Sequence, residues 1–159
     1  MRVLVTGANG MLGQDMVAEL RRRGTDTLAT DVGELDLLDA DAVQRFAEGG
    51  MGRFYCVVNC AAYTAVDKAE SEKLLAFRLN ATAPGVLAHA CSLHGARMIH
   101  VSTDFVFDGR ATTPYEETAP PNPQGVYAQS KREGEVEVLR ALPVALVCRT
   151  SWLYGPLGK

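Results

Sequence analysis

Three glycines near the start of the chain constrain the fold more than any other feature. An apolar run at residues 2–6 ends at Gly7, and a segment with helical spacing begins at Met11. A G-x-x-G-x-x-G turn between strand and helix allows a tight bend, close backbone approach to a pyrophosphate, and close helix–strand packing. The helix N-terminus adds free N–H groups and a partial positive charge. The pattern predicts a dinucleotide-binding turn, with a purely structural turn as the alternative; the candidate residues are Gly7, Asn9, Gly10, Met11, Leu12 and Gly13.

Strand-like and helical segments alternate along the rest of the chain. Apolar runs that predict strands lie at residues 2–6, 27–30, 54–59, 97–102 and 144–149. Helical patterns lie at residues 11–23, 39–47, 65–95 and 126–142, with Pro84 marking a new first turn or a kink. Strands that are apolar on both faces and alternate with helices indicate a parallel sheet covered on each side. We therefore expect an α/β fold, a doubly wound parallel sheet (Rossmann fold) of about six strands with helices on both faces.

Composition and charge exclude several classes of protein. The 159 residues are one domain's worth of sequence, and 16 Lys and Arg against 19 Asp and Glu give a net charge of −3. Such a chain has no bulk attraction to nucleic acid or to an anionic membrane, and its apolar runs are too short to cross a bilayer. The N-terminal segment does not have the pattern of a signal peptide. We expect a cytoplasmic protein with no nucleic-acid or membrane partner.

The cysteines do not indicate a metal site. Cys56, Cys60, Cys91 and Cys148 form no C-x-x-C pair, and the three histidines lack zinc-finger spacing. Cys56 and Cys148 lie in apolar strand-like runs, where a free thiol behaves as a small hydrophobe. We expect structural thiols and no metal ligands.

A carboxylate stands where a dinucleotide fold contacts the ribose. Asp31 ends the second predicted strand, eighteen residues after Gly13. A carboxylate there accepts hydrogen bonds from the ribose hydroxyls and repels a 2′-phosphate. The alternative is that Asp31 only caps a turn. Asp36 and Leu37, which follow shortly, are candidates for the adenine side of the same site.

A phenol and an ammonium lie four residues apart on the last predicted helix. Tyr127 and Lys131 therefore share one helix face. They follow a strand that ends at Thr103, and hydroxyls at the carboxyl edge of such a sheet lie where ligands bind. Ketone reduction needs a proton at oxygen, which Tyr127 could donate if the Lys131 cation lowers the phenol pKa. Thr103 would hydrogen-bond and polarise the carbonyl oxygen. We expect these three residues to be catalytic, with Lys131 also holding the nicotinamide ribose.

The chain resembles the extended short-chain dehydrogenase/reductases, and among them the dTDP-4-dehydrorhamnose reductases, over essentially its whole length. The most specific segments are AAYTAVDKAESE at residues 61–72 and STDFVFDG at residues 102–109. The glycine turn, the segment from Tyr127 to Gly134-Glu135 and the run RTSWLYG at residues 149–155 also match.

The resemblance implies an activity, its cofactor and further site residues. Such an enzyme uses NADP(H) or NAD(H) to reduce the 4-keto group of a dTDP-6-deoxy-hexulose, which yields dTDP-L-rhamnose. Its partner is thus a small nucleotide sugar. The family pattern places Ala61, Ala62 and Tyr63 beside the cofactor. It places the following residues on the sugar side of the pocket: Thr64, Val66, Thr103, Asp104, Phe105, Tyr127 and Trp152. Core packing is the alternative for Trp152.

The resemblance also bears on domain organisation and assembly. Family members are nearly twice this length, and their second half supplies most of the substrate domain. We expect residues 1–159 to form the NAD(P)-binding domain, with the C-terminal substrate domain largely missing. Some members form homodimers through a metal held by acidic residues. Asp15 matches one such position, but the others would lie outside this sequence, so no Mg²⁺ site is predicted here.

Two other functions are open. The regulatory subunit of methionine adenosyltransferase is similar in sequence and is not catalytic, whereas the presence of Thr103, Tyr127 and Lys131 favours a working reductase. A nucleotide-sugar epimerase or dehydratase is the other alternative. A dehydratase needs an adjacent pair of carboxylates after the catalytic hydroxyl, and here Asp104 is followed by Phe105.

Overall fold

The computed structural model describes residues 1–155, and residues 156–159 of the predicted domain lie outside the described part. A single parallel sheet runs through this part in the order β2-β1-β3-β4-β5. Its strands are β1 (Arg2–Thr6), β2 (Asp26–Thr30), β3 (Cys56–Asn59), β4 (Arg97–Thr103) and β5 (Leu146–Thr150). The reversal of strand order beside β1 confirms the predicted doubly wound, Rossmann-type α/β fold.

Helices cover both faces of the sheet, as predicted. They are α1 (Met11–Arg22), α2 (Ala40–Ala47), α3 (Val66–Ala69), α4 (Lys73–Phe77), α5 (Ala83–His94) and α6 (Gly125–Ala141). Side chains alternate along β1, so that Leu4 packs against α2, α5 and α6 while Val5 packs on the opposite face against α1. Asp39 caps α2 by accepting the amides of Asp41 and Ala42. None of the helices within residues 1–155 is both long and apolar enough to cross a membrane.

The sheet has five strands in the described part, and the expectation of about six was too high by one. The sequence itself offers only five strand-like runs, and each of them forms one of these strands. Between β2 and α2, carboxylates hold the chain in turns: Asp31 accepts the Val32 amide, and Asp36 accepts the Leu38 amide. Aspartate side chains that bond their own backbone favour turns over strands.

The long helical segment between β3 and β4 is divided into several pieces. A π-helical stretch (Arg78–Thr82) separates α4 from α5, and Pro84 lies in the first turn of α5. This placement agrees with the prediction that Pro84 marks a new first turn, since proline has no N–H to lose there. The π-helical stretch turns the side chain of Asn80 inward, where it is fully buried.

The cysteines are all free thiols, as expected. Cys56 and Cys91 are buried, and Cys60 and Cys148 are half-buried. Burial raises the pKa of Cys91 to about 12 and that of Cys60 to about 11. In the described part of the chain, no group of three or more His, Cys, Asp and Glu side chains could hold a metal ion.

Candidate active site

The glycine turn after β1 is shaped by two close backbone contacts. Gly7 has a φ of +66°, and a Cβ there would lie 2.6 Å from the amide nitrogen of Ala61. A Cβ at Gly13 would lie only 2.1 Å from the carbonyl oxygen of Gly7. Gly10 differs, since its Cβ would meet only that same oxygen, at 3.2 Å. Gly7 and Gly13 are therefore needed by the fold itself, while a side chain at Gly10 would make one close contact, with the Gly7 oxygen.

The start of α1 fits an anionic group. The first amides of a helix have no partner within it, and Gly10 provides no side-chain cap. The amide of Asn9 is already used, because it donates to the Asp31 carboxylate over 2.8 Å. The amides of Met11 and Leu12 at the N-terminus of α1 are thus the donors that suit a pyrophosphate.

Asp31 stabilises the glycine turn through hydrogen bonds, as its alternative role as a turn cap would predict. One carboxylate oxygen accepts the Asn9 amide and the other accepts the Val32 amide, so Asp31 caps two backbone groups. It is half-buried just after β2, and its contact with a ribose stays a prediction. Glu34, which the sequence reasoning missed, accepts the Asp31 amide over 2.9 Å. Its position three residues after Asp31, within one turn, is the signal that could have identified it.

The two residues predicted near the adenine occupy different environments. Asp36 accepts the Leu38 amide over 2.8 Å. Leu37 is buried in the hydrophobic core that includes Phe46 and Val57. The structure does not bring the Leu37 side chain to the open edge of the sheet, because its apolar surface is more stable in the core.

The buried side-chain amide of Asn80 links the segment after β3 to α6 through hydrogen bonds. The Asn80 side chain accepts the Tyr63 amide over 2.8 Å and donates to the Tyr63 carbonyl over 3.0 Å. It also donates to the Ser130 hydroxyl, which in turn donates to the Tyr127 carbonyl. Asn80 was missed by the sequence reasoning, although a lone amide in an alanine- and leucine-rich helix is a detectable signal. It links the predicted cofactor segment, residues 61–63, with the predicted catalytic helix.

The phenol of Tyr63 has a separate partner. Its hydroxyl donates to Glu72 over 2.6 Å. This bond raises the pKa of Tyr63 to about 12, because ionisation would place two negative charges side by side. Tyr63 is therefore a neutral hydrogen-bond donor at physiological pH.

Thr103, Asp104, Phe105 and Tyr127 come together at the carboxyl edge of β4. The Thr103 hydroxyl donates to Asp104 over 3.1 Å and accepts the Phe105 amide over 3.2 Å. The Phe105 and Tyr127 rings meet edge to face, with centroids 5.8 Å apart. Ser151 donates to Asp104 over 2.7 Å and so joins the end of β5 to this group. The sequence prediction that these residues share one place is consistent with this geometry.

The pKa values of Tyr127 and Lys131 differ from the expectation that the Lys131 cation lowers the pKa of the phenol. Burial raises the pKa of Tyr127, assisted by the Asp104 charge, and this outweighs the lowering effect of the Thr103 hydroxyl. The Lys131 ammonium lies 2.7 Å from the Val101 carbonyl, to which it donates. Its side chain is almost wholly buried, and this desolvation lowers its pKa to about 8, against the attraction of Glu135. The predicted lowering of the phenol pKa is not found, because loss of water around the phenol dominates.

A buried charge cluster lies one helical turn beyond Lys131. Glu135 is 1% exposed and accepts two hydrogen bonds from Arg149, over 2.9 and 2.8 Å. The Ser102 hydroxyl and the Arg132 guanidinium also donate to the Glu135 carboxylate, over 2.7 and 2.8 Å. Burial acts to raise the pKa of Glu135, but these donors together lower it. The sequence reasoning quoted Glu135 as part of a motif without assigning it this partner, since only the fold brings Arg149 to it.

Three of the predicted sugar-side residues, Thr64, Val66 and Trp152, are exposed. Thr64 and Val66 lie at the start of α3 and face solvent. Trp152 is 92% exposed, with a φ of +51°. Core packing within residues 1–155 is therefore excluded as the role of Trp152, and its predicted place in a pocket stays a prediction.

The arrangement can donate a proton at the end of β4. Because its pKa is raised, Tyr127 is protonated at neutral pH and is a potential general acid. Thr103 lies beside it as a second hydrogen-bonding group, and the buried Lys131 holds positive charge behind them below pH 8. The open turn at Gly10 and the free amides of α1 suit a nicotinamide dinucleotide, which when bound would supply a hydride.

Comparison with known proteins decides the family. A model of the RmlD substrate binding domain matches residues 1–159, the whole chain. The chain belongs to this family. The match confirms the resemblance seen in the sequence.

Named relatives and solved structures agree with this assignment. A dTDP-4-dehydrorhamnose reductase of Mycobacterium tuberculosis is 48% identical over 99% of this chain and 52% of its own length. The structure of a dTDP-4-dehydrorhamnose reductase from Bacillus anthracis, in complex with NADP, is 39% identical, with a TM-score of 0.93 over 99% of this chain and 56% of its own. A UDP-glucose 4-epimerase of Thermus thermophilus, complexed with NAD, is 27% identical, with a TM-score of 0.88. The chain spans about half the length of the curated relatives it matches.

Proposed function

We propose that this chain is the nicotinamide-dinucleotide-binding part of a dTDP-4-dehydrorhamnose reductase. The reaction is reduction of the 4-keto group of a dTDP-6-deoxy-hexulose to dTDP-L-rhamnose by NADPH or NADH. The observation that carries the proposal is that Thr103 and Tyr127 both contact Phe105 at the carboxyl edge of β4, since the Phe105 amide donates to the Thr103 hydroxyl and the Phe105 ring meets the Tyr127 ring. The open glycine turn lies at the same edge of the same parallel sheet.

The site residues divide between two tasks. Tyr127 donates the proton, Thr103 hydrogen-bonds the carbonyl oxygen, and Lys131 supplies positive charge and holds the nicotinamide ribose. The glycine turn and the segment 61–63 hold the dinucleotide, with Asp31 at the adenosine ribose and Asp36 near the adenine. Leu37 lies near the adenine through its backbone, because its side chain is in the core. Thr64, Val66, Asp104, Phe105 and Trp152 contact the sugar. The names of the relatives and the geometry of β4 and α6 support this division.

Residues 1–159 form the NAD(P)-binding domain in this proposal. The relatives are about twice as long, and the additional half completes the nucleotide-sugar site. The chain alone is therefore expected to bind the dinucleotide far better than the sugar nucleotide. A cytoplasmic location and a homodimer remain predictions, and light scattering of the purified protein tests the second.

Calorimetric titration of this chain with NADH, NADPH and dTDP tests the proposal. We expect binding of at least one nicotinamide dinucleotide and weak or no binding of dTDP. Gly10→Ala, which leaves the packing of Gly7 and Gly13 intact, should weaken dinucleotide binding at least tenfold. A parent protein that binds neither NADH nor NADPH would contradict the proposal.

The proton-donor role of Tyr127 is tested in a longer protein that contains residues 1–159 together with the second half found in the relatives. Tyr127→Phe should lower turnover by about 10²–10⁴-fold, the usual contribution of a general acid. Dinucleotide affinity should stay nearly unchanged, because only the hydroxyl is removed. Turnover within threefold of the parent would show that another group supplies the proton.

A further inference from the structure

The helix that carries Tyr127 and Lys131 begins without a cap of its own. Its N-cap residue, Gln124, makes no side-chain hydrogen bond to the first turn of α6. Gly125 then opens the helix with a φ of +79°. The first amides of any helix need an acceptor from outside the helix or from water. The source of this acceptor matters here because Tyr127 is the third residue of α6.

A carboxylate from a distant part of the chain supplies the acceptor. Glu70, directly after α3, accepts the Val126 amide over 2.8 Å, across a separation of 56 residues. A Cβ at Gly125 would lie 3.0 Å from the same carboxylate oxygen, so Glu70 lies directly against the first turn. Its negative charge also interacts favourably with the positive end of the helix dipole. The bonded amide belongs to the residue just before Tyr127.

We propose that Glu70 is a positioning residue, which caps α6 from α3 and so fixes the backbone of Tyr127 opposite Thr103. The inference rests on the proposed function, in which Tyr127 is the proton donor. Other contacts hold the far side of the same turn, since the Tyr127 carbonyl accepts the Ser130 hydroxyl. The near side depends on Glu70. Because α3 starts just after Thr64, the cap also connects the predicted sugar-side segment to the helix that carries the acid.

Four proteins test this role: the parent, Glu70→Ala, Glu70→Gln and the control Asp67→Ala. Asp67 is an exposed carboxylate on α3, three residues before Glu70. Glu70→Gln keeps an acceptor oxygen and removes only the charge. All four are labelled with ¹³C at the tyrosine ring, and the Tyr127 signal is identified by its loss in Tyr127→Phe. Amide hydrogen exchange is measured on the same samples, and circular dichroism confirms folding.

We expect Glu70→Ala to speed exchange at residues 126–128 by about fivefold, which is the effect of losing a typical helix cap. It should also shift the Tyr127 ring signal, leave the Tyr55 signal in place, and weaken binding of the preferred nicotinamide dinucleotide by two- to fivefold. Glu70→Gln should restore most of the protection and the Tyr127 signal. Asp67→Ala should match the parent in all three measurements.

The proposal is overturned if Glu70→Ala leaves both exchange at residues 126–128 and the Tyr127 signal unchanged. It is also overturned if Asp67→Ala changes them equally, since the effect would then be one of general surface charge. Failure of the proposed function gives a different result. In that case the parent binds neither NADH nor NADPH, while the exchange and ring signals still decide whether Glu70 positions Tyr127.

Discussion

The two halves of the candidate site hold their functional groups in different ways. After β2, Asp31 is half-buried and Glu34 is exposed, and backbone geometry around Gly7 and Gly13 shapes the turn after β1. At the end of β4 and on α6 the charges of Lys131 and Glu135 are removed from water. The first half is limited by steric contact and the second by the electrostatic cost of burial. Substitutions in the two halves should therefore reduce stability or binding for different physical reasons.

The strongest test of the buried half is Glu135→Ala. It leaves the guanidinium of Arg149 and the hydroxyl of Ser102 without their shared acceptor. Breaking a buried pair in this way costs about 3–5 kcal/mol in the free energy of unfolding. Urea unfolding measures the loss, and Glu133→Ala, on an exposed position of the same helix, should stay within about 0.5 kcal/mol of the parent. A loss below about 1 kcal/mol for Glu135→Ala would mean that Arg149 finds water as readily as it finds Glu135.

The matching test of the first half compares two glycines of one turn. Gly13→Ala forces a Cβ to within 2.1 Å of a backbone oxygen and should cost about 3 kcal/mol in stability. Gly10→Ala meets the same oxygen at 3.2 Å and should cost less than about 1 kcal/mol. For dinucleotide binding by the folded protein we expect the opposite order. Gly10→Ala should weaken binding more than Gly13→Ala, because only the side chain at position 10 would block the approach of the pyrophosphate to the turn. Equal stability losses in the two variants would contradict the steric account of the turn.

Lys131→Met sharpens the contrast, because it should stabilise the fold while it damages the site. Burial lowers the pKa of Lys131 from 10.5 to about 8, so keeping the ammonium charged costs folding free energy at pH 7. Removing it should raise the free energy of unfolding by about 1–3 kcal/mol and weaken dinucleotide binding.

The pH dependence of the stability difference between Lys131→Met and the parent provides a control. Between about pH 8 and pH 10.5 the unfolded chain holds a proton on Lys131 that the folded chain has lost, so the parent recovers stability relative to Lys131→Met. The advantage of the variant should shrink across this range. Buried thiols and phenols titrate there too, but they are common to both proteins and cancel in the difference. An advantage that is constant from pH 7 to pH 10 would contradict the burial account.

The smallest expected effect concerns the half-buried carboxylate Asp31. We expect the parent to bind NADH at least as well as NADPH, because Asp31 and its neighbour Glu34 would both repel a 2′-phosphate. Asp31→Asn should move the ratio of the two affinities about fivefold towards NADPH, close to 1 kcal/mol. Asp26→Asn, at the opposite end of the same strand, should leave the ratio unchanged. A parent that binds NADPH tenfold more tightly than NADH would show that Asp31 does not face the ribose.

The local sequence determined the parallel sheet and the position of the glycine turn. Periodicity and turn residues act over a few positions, so β1 and α1 were predictable to within a residue or two. The short segments of high specificity were enough to predict the family, which the match to residues 1–159 confirms. The five strands of the described part correspond to the five strand-like runs of the sequence, so the expected sixth strand had no run of its own.

Only the tertiary structure decided which side chains lose their water and which distant groups meet. Nothing in the spacing of Lys131 and Glu135 shows that one is held at the Val101 carbonyl and the other between Arg149 and Ser102. The sequence reasoning expected a lowered pKa at Tyr127, and the structure shows a raised one, because desolvation depends on packing around the phenol. Likewise, Glu70 reaches α6 across 56 residues. Burial and long-range contact are properties of the packed chain, and no local pattern of residues contains them.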